Sequence, residues 1–123
     1  MERFDISSDE PVLDAEYLTS QTGGDPALTR IILETALAEV PVNRAEVEAA
    51  VSDPEAVAVP AHRLKGMMGM LGARRASKLA GAVEAAGRAG DRDELQSLVP
   101  RLTTELDRLV ELIESSMDEL VSS

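Results

Sequence analysis

Leu95, Leu98, Leu102, Leu106, Leu109, Ile113, Met117 and Leu120 recur at intervals of three and four residues. On a helix that spacing draws one apolar stripe down a single side. A lone helix with such a stripe is marginal in water, so the rest of the chain must cover it. No β partner is on offer: Val-Ile-Thr alternation is absent, and so are Asn-Gly and Asp-Gly hairpin turns. The stripe must therefore be buried by other helices. Aromatic residues make up only 2% of the chain, so the shared core has to be built from Leu, Val, Ile, Ala and Met.

Start and stop signals divide the chain. A short helix is expected around Asp14 to Ser20. The stretch "GGDPALTR" then gives a break, an Asp25 N-cap and Pro26 at the first helical position. Leu28, Ile31, Ile32, Thr35 and Ala36 follow at helical spacing, and Val47, Ala50 and Val51 resume it after Pro41. Pro41 is expected to kink or split that helix, because it lacks a donor and crowds the preceding turn. Asp53 and Pro54 repeat the start signal for a helix running to about Leu71; Pro60 inside it implies either irregular first turns or a regular helix that begins near Pro60. A fourth helix ends at Gly90 as a C-terminal cap. Asp91 and Glu94 form a capping-box pattern for the last, which Pro100 is expected to bend. The prediction is an all-α protein: an antiparallel four-helix bundle with an additional short N-terminal helix. Residues 1–12 read as a flexible N-terminal tail and 13–123 as the bundle, one domain in a chain of 123 residues.

Composition excludes several functions. There is no cysteine and one histidine, which argues against disulfides and against a transition-metal site. The net charge of 12 − 23 = −11 repels phosphate backbones, so nucleic-acid binding is not expected. The acidic N-terminus is not expected to act as a signal peptide, and no apolar run approaches membrane-spanning length. A cytoplasmic location is expected.

The single histidine stands in "PAHRLKGMMGMLGA", Pro60 to Ala73. On a helical wheel Leu64, Met68 and Leu71 fall in one arc with Val57 and Ala61, the core face. His62, Gly66, Gly69 and Ala73 gather on the opposite side, the other three within about 40° of His62. Lys65 flanks this strip on one side, Arg63 and Met70 on the other. Each helical glycine costs about 1 kcal/mol relative to alanine, which a close approach by another macromolecule would explain. Met67 reads as a boundary residue and Met70 as a partly exposed contact. The pattern is that of a nucleophilic imidazole with a cationic neighbour and a cleared docking strip of Arg63, Gly66, Gly69, Met70 and Ala73. Imidazoles in water titrate near about 6.5, so a neutral, attacking fraction exists at neutral pH.

"AHRLKGMMGMLGA" resembles the signature of histidine-containing phosphotransfer (HPt) domains, and the resemblance covers nearly the whole chain. It implies a carrier that takes a phosphoryl group from a receiver-domain aspartate and passes it to another. His62 maps onto the phosphorylated histidine, Lys65 onto the lysine three residues on and Gly66 onto the glycine after it. Family members often place a Gln or Glu on the next helix to orient the imidazole, and by spacing Glu84 falls there. Where many members have a small or hydroxyl residue, this chain has Met67 and Met68. The resemblance implies no cofactor in this chain, with Mg²⁺ on the partner. It implies partners that are receiver domains of a hybrid sensor kinase and of a response regulator. It favours a monomer, and a phosphoryl carrier rather than an enzyme.

Two other classes compete. An acyl carrier protein is also small, acidic and helical, but attaches its arm at Asp-Ser-Leu on a helix start. The only Ser-Leu here is Ser97-Leu98, after Gln96 and inside a helix. A non-catalytic acidic adaptor bundle would tolerate loss of His62. A histidine kinase does not fit the length and needs a nucleotide loop that is absent. Arg74 and Arg75, near the docking strip, are read as contacts for an acidic receiver surface or as solvated.

Overall fold

A computed structural model describes residues 10–122. Five helices occur among the described residues: α1 (Ala15–Thr22), α2 (Pro26–Ala49), α3 (Pro54–Leu71), α4 (Arg74–Ala89) and α5 (Arg92–Ser122). Most of the predicted tail, residues 1–9, lies outside the described residues. At its end, Glu10 pairs with Lys78 and its carbonyl accepts from Arg75 Nη1 at 3.3 Å.

The caps read from sequence are largely present. Asp25 Oδ1 accepts from Ala27 N at 3.0 Å, and Asp14, at the start of the expected short helix, caps it in addition, its Oδ1 accepting from Tyr17 N at 3.1 Å. Asp91 Oδ1 accepts from Glu94 N at 3.1 Å. Asp53 occupies the N-cap of α3 without a side-chain cap bond. Gly90 ends α4 in the left-handed conformation, φ 67°. Pro41 does not split its helix, and the turns of α3 before Pro60 are helical. Pro41 lies inside a continuous α2, and Pro60 inside a continuous α3. In α5 the departure from helical dihedrals is at Ser116 (φ −123°, ψ 16°), not at Pro100. Tertiary packing of the buried flanking positions holds each helix through its proline.

The long helices touch in a closed sequence: α2 on α3, α3 on α4, α4 on α5 and α5 back on α2. Each contributes one stripe to a common core. From α3 come Val57, Ala61, Leu64, Met68 and Leu71, and from α5 come Leu95, Leu98, Leu102, Leu106, Leu109 and Ile113, all buried as the spacing requires. Met117 and Leu120 lie past the Ser116 break and are only partly buried. On α2 the inward stripe is Leu33, Ala36, Val40 and Val47, while Leu28 and Ile31 face outward. Of the spacing expected on α2, Ala36 and Val47 lie on the core face and Ile32 packs partly against it, whereas Leu28 and Ile31 lie off it. α1 packs at one end, where Asp14 N donates to Gly72 O at 2.9 Å.

Candidate functional site

α3 and α4 run antiparallel in close register. Ser77 Oγ donates to Lys65 O at 3.0 Å, Glu84 faces His62, and Gly87 lies over Ala58 and Pro54. The close approach rests on small residues. A Cβ on Gly87 would stand 2.6 Å from Pro54 O, which no real contact allows. Glycine there lets α4 lie near enough for short side chains to bridge the groove.

His62 sits on the outward shoulder of α3 with its side chain 61% exposed. Its Nδ1 lies 2.9 Å from Glu84 Oε2, while Glu84 itself is only 9% exposed. Lys65 Nζ is 3.1 Å from the other oxygen, Oε1. Glu84 Oε2 also accepts from Arg88, at 2.7 Å from Nη2 and 3.1 Å from Nε. One buried carboxylate therefore gathers three side chains. Arg88 foremost, then Lys65 and His62, lower the Glu84 pKa from 4.5 to about 2 against the opposing pull of burial. At neutral pH the carboxylate is ionised and can only accept hydrogen bonds. Nδ1 of His62 must then donate, which leaves the lone pair of a neutral ring on Nε2.

The sequence-predicted residues divide into those the fold assembles and those it does not. His62, Lys65 and Glu84 come together. Gly66 is exposed, with nothing within 4 Å of where a Cβ would stand, and Met70 is 74% exposed. Arg63 is half exposed, yet its Nη1 is engaged by α2, donating to Asn43 Oδ1 at 2.9 Å and Glu46 Oε1 at 3.1 Å. Two positions of the docking strip are corrected. Ala73 is fully buried, because Gly72 (φ 92°) ends α3 and turns the chain into α4, taking Ala73 off the wheel. Gly69 is half-buried against α4, where its missing Cβ would meet Ser77 Oγ at 3.6 Å. Arg75 is neither a solvated nor a docking residue: it is largely buried and pairs with Glu105 at 3.0 Å. Arg74 stays exposed, over the Tyr17 ring at 5.6 Å.

Arg88 was not foreseen. Its signal was present in the sequence, four residues after Glu84 and so on the same helix face. Among 23 acidic residues, however, one such i,i+4 pair carries little information by itself. Among the described residues no group of three or more His, Asp or Glu is placed to hold a metal ion. No helix there is long and apolar enough to cross a membrane.

Comparison with known proteins points the same way as this geometry. Among curated proteins, none matches the chain. Histidine-containing phosphotransfer protein B (HptB) from Pseudomonas aeruginosa shares its fold with a TM-score of 0.81, at 21% identity, over 92% of this chain and 98% of that one. The pattern of the Hpt domain family matches residues 31–112, which take in His62, Lys65, Glu84 and Arg88. An all-helical chain whose single imidazole is turned out to solvent thus belongs to the Hpt domain family, the histidine phosphotransfer carriers of two-component phosphorelays.

Proposed function

We propose that His62 is the residue phosphorylated in this chain, and that Nε2 is its attacking atom. One observation carries the proposal: histidine phosphotransfer needs a histidine, and this chain has one. The geometry supports the choice of atom, since Nδ1 is occupied by an ionised Glu84 and Nε2 is free to attack.

In the step so defined, the Nε2 lone pair forms a bond to the phosphorus of a receiver aspartyl phosphate. The bond from phosphorus to the aspartate oxygen breaks, and the aspartate leaves as a carboxylate. The ring then carries positive charge shared with Nδ1–H, and Glu84 stabilises it through the 2.9 Å contact. Lys65, on the same carboxylate, places a positive charge beside the incoming dianion. Loss of the phosphoryl group to a second aspartate is the same step reversed. Mg²⁺ and the acidic pocket belong to the receiver, and this chain needs no cofactor.

The scaffold is an antiparallel four-helix bundle of α2 to α5 with α1 as a short additional helix. It acts as a monomeric cytoplasmic carrier rather than an enzyme. Its partners are receiver domains of a hybrid sensor kinase and of a response regulator, docking over Arg63, Gly66 and Met70. The test is incubation with a radiolabelled phosphoreceiver. Label should appear on this chain, be lost in acid as phosphohistidine is, and be absent from His62→Gln. Equal labelling of His62→Gln would refute the proposal and favour an adaptor role.

A further inference from the structure

Gly81 lies in the interior of α4, where glycine is a poorer helix former than alanine. The backbone does not require it. Positive φ occurs at Gly23, Gly24, Gly72 and Gly90, and not at Gly81. Nor does helix approach require it as it does at Gly87, where the obstacle is the backbone of α3. The atoms a Cβ on Gly81 would meet belong to a single side chain: Lys65 Cδ at 3.2 Å and Cγ at 3.8 Å.

The aliphatic stem of Lys65 thus crosses α4 through the space that Gly81 leaves open. It emerges three residues further along α4, where Nζ meets Glu84 Oε1 at 3.1 Å. The other end of the residue is also fixed, because Lys65 O accepts from Ser77 Oγ at 3.0 Å. A half-exposed lysine ordinarily samples many rotamers, and holding it in one costs entropy. Here the helix surface itself confines the stem. Ser77, Gly81, Glu84 and Arg88 lie at steps of four, three and four along one face of α4. That face holds the carbonyl, stem and ammonium of Lys65 in turn.

We propose that Gly81 is a positioning residue: its missing side chain forms the channel that delivers the Lys65 ammonium to Glu84, beside the imidazole. A methyl group at this position displaces the stem by a few tenths of an ångström. A larger side chain fills the channel and turns Lys65 out to solvent. The proposal rests on the role given to Lys65 above.

The experiment compares Gly81→Ala, Gly81→Leu, Lys65→Ala and the double variant Gly81→Leu/Lys65→Ala. Each full-length protein is phosphorylated by a receiver and separated from it, and the lifetime of its phosphohistidine is measured. Isolation removes any effect of the new side chain on docking. Lys65→Ala is expected to shorten the lifetime by up to about five-fold, the rate equivalent of an exposed ion pair. Gly81→Leu should approach that value and Gly81→Ala fall between it and wild type. The double variant should equal Lys65→Ala, since a lysine that is absent cannot be displaced. Both glycine variants should melt no lower than wild type, which separates displacement from unfolding. A wild-type lifetime in Gly81→Leu beside a shortened one in Lys65→Ala overturns the role of Gly81 and leaves that of Lys65. A wild-type lifetime in Lys65→Ala removes the role of Lys65, and that of Gly81 with it. Additive losses in the double variant also overturn the proposal, because Gly81 then acts on something other than Lys65.

Discussion

Glu84 accepts from three side chains through two oxygens, and that sharing sets its behaviour with pH. Its carboxyl is lowered to about 2, with Arg88 the leading cause. A carboxylate depressed in the folded state stabilises the fold above its unfolded value of about 4.5, and that stabilisation fades as pH falls towards about 2. Glu84→Gln removes the titrating group. Denaturant melts of the two proteins should therefore differ by a constant amount above about pH 5 and converge between 4.5 and 2. A gap that stays constant down to pH 2 would mean the cluster does not hold the charge. Lys65→Ala tests the same carboxylate from its other oxygen: transfer from a receiver should slow by up to about five-fold, with the fold intact, in a stopped assay of label exchange. At this scale the sequence was partly legible. His62 and Lys65 could be found from a short motif, whereas Glu84 rested on the family resemblance together with spacing along the next helix. Arg88 was visible only as one i,i+4 pair in a highly charged chain, and Gly81 acts through the distance between helices, which spacing along one helix does not contain.

Between α3 and α4 the glycines have opposite meanings, and the contacts sort them. Gly66 has open space around it, so Gly66→Ala should stabilise the protein by up to about 1 kcal/mol in thermal melts. Gly66→Leu should stay folded, yet exchange phosphate with a receiver far more slowly, since a bulky side chain beside His62 obstructs docking. Normal exchange in a stable Gly66→Leu would place the docking surface elsewhere. Gly87→Ala should do the reverse and destabilise by about 1–3 kcal/mol, because the added Cβ would be 2.6 Å from Pro54 O and the helices must part. An unchanged melting temperature would mean that the helices yield freely. A single helical wheel cannot separate these cases. It placed Gly66, Gly69 and Ala73 together on a solvent face, but α4 lies along one edge of that face and covers Gly69. The end of α3 was equally hidden in the wheel: it continues any pattern through Gly72, where the real chain turns. The apolar stripes of α3 and α5 were readable because burial alone dictates them.

For the molecule as a whole, Arg75 joins three parts of the chain: the segment before α1, α4 and α5. Nη1 holds the carbonyl of Glu10 at 3.3 Å and Nη2 holds Glu105 on α5 at 3.0 Å, from a position near the start of α4. Glu105 is only 3% exposed, and its second oxygen has no hydrogen-bond partner in the fold. Arg108 stands further off, 3.8 Å from the same Oε1 that Arg75 already holds. Removing Arg75 would leave a buried carboxylate with that weak contact alone. Breaking such a pair from one side typically costs about 3–5 kcal/mol, far more than a surface ion pair. Arg75→Ala is therefore expected to lower the denaturation midpoint sharply. Arg75→Met/Glu105→Met replaces both charges with flexible apolar chains and should recover most of that loss. Transfer should be unaffected in either variant while it remains folded. Arg75 is nine residues before Glu84, which on a helix is about 13 Å along the axis and half a turn around it. A chain with 23 acidic and 12 basic residues gives no sequence sign of which pair is buried, so this clamp became visible only once α4 and α5 were seen side by side. Two outcomes would count against it as a structural clamp. One is an Arg75→Ala protein as stable as wild type. The other is a folded Arg75→Met/Glu105→Met protein that has lost phosphotransfer, which would move this ion pair from the scaffold to the function.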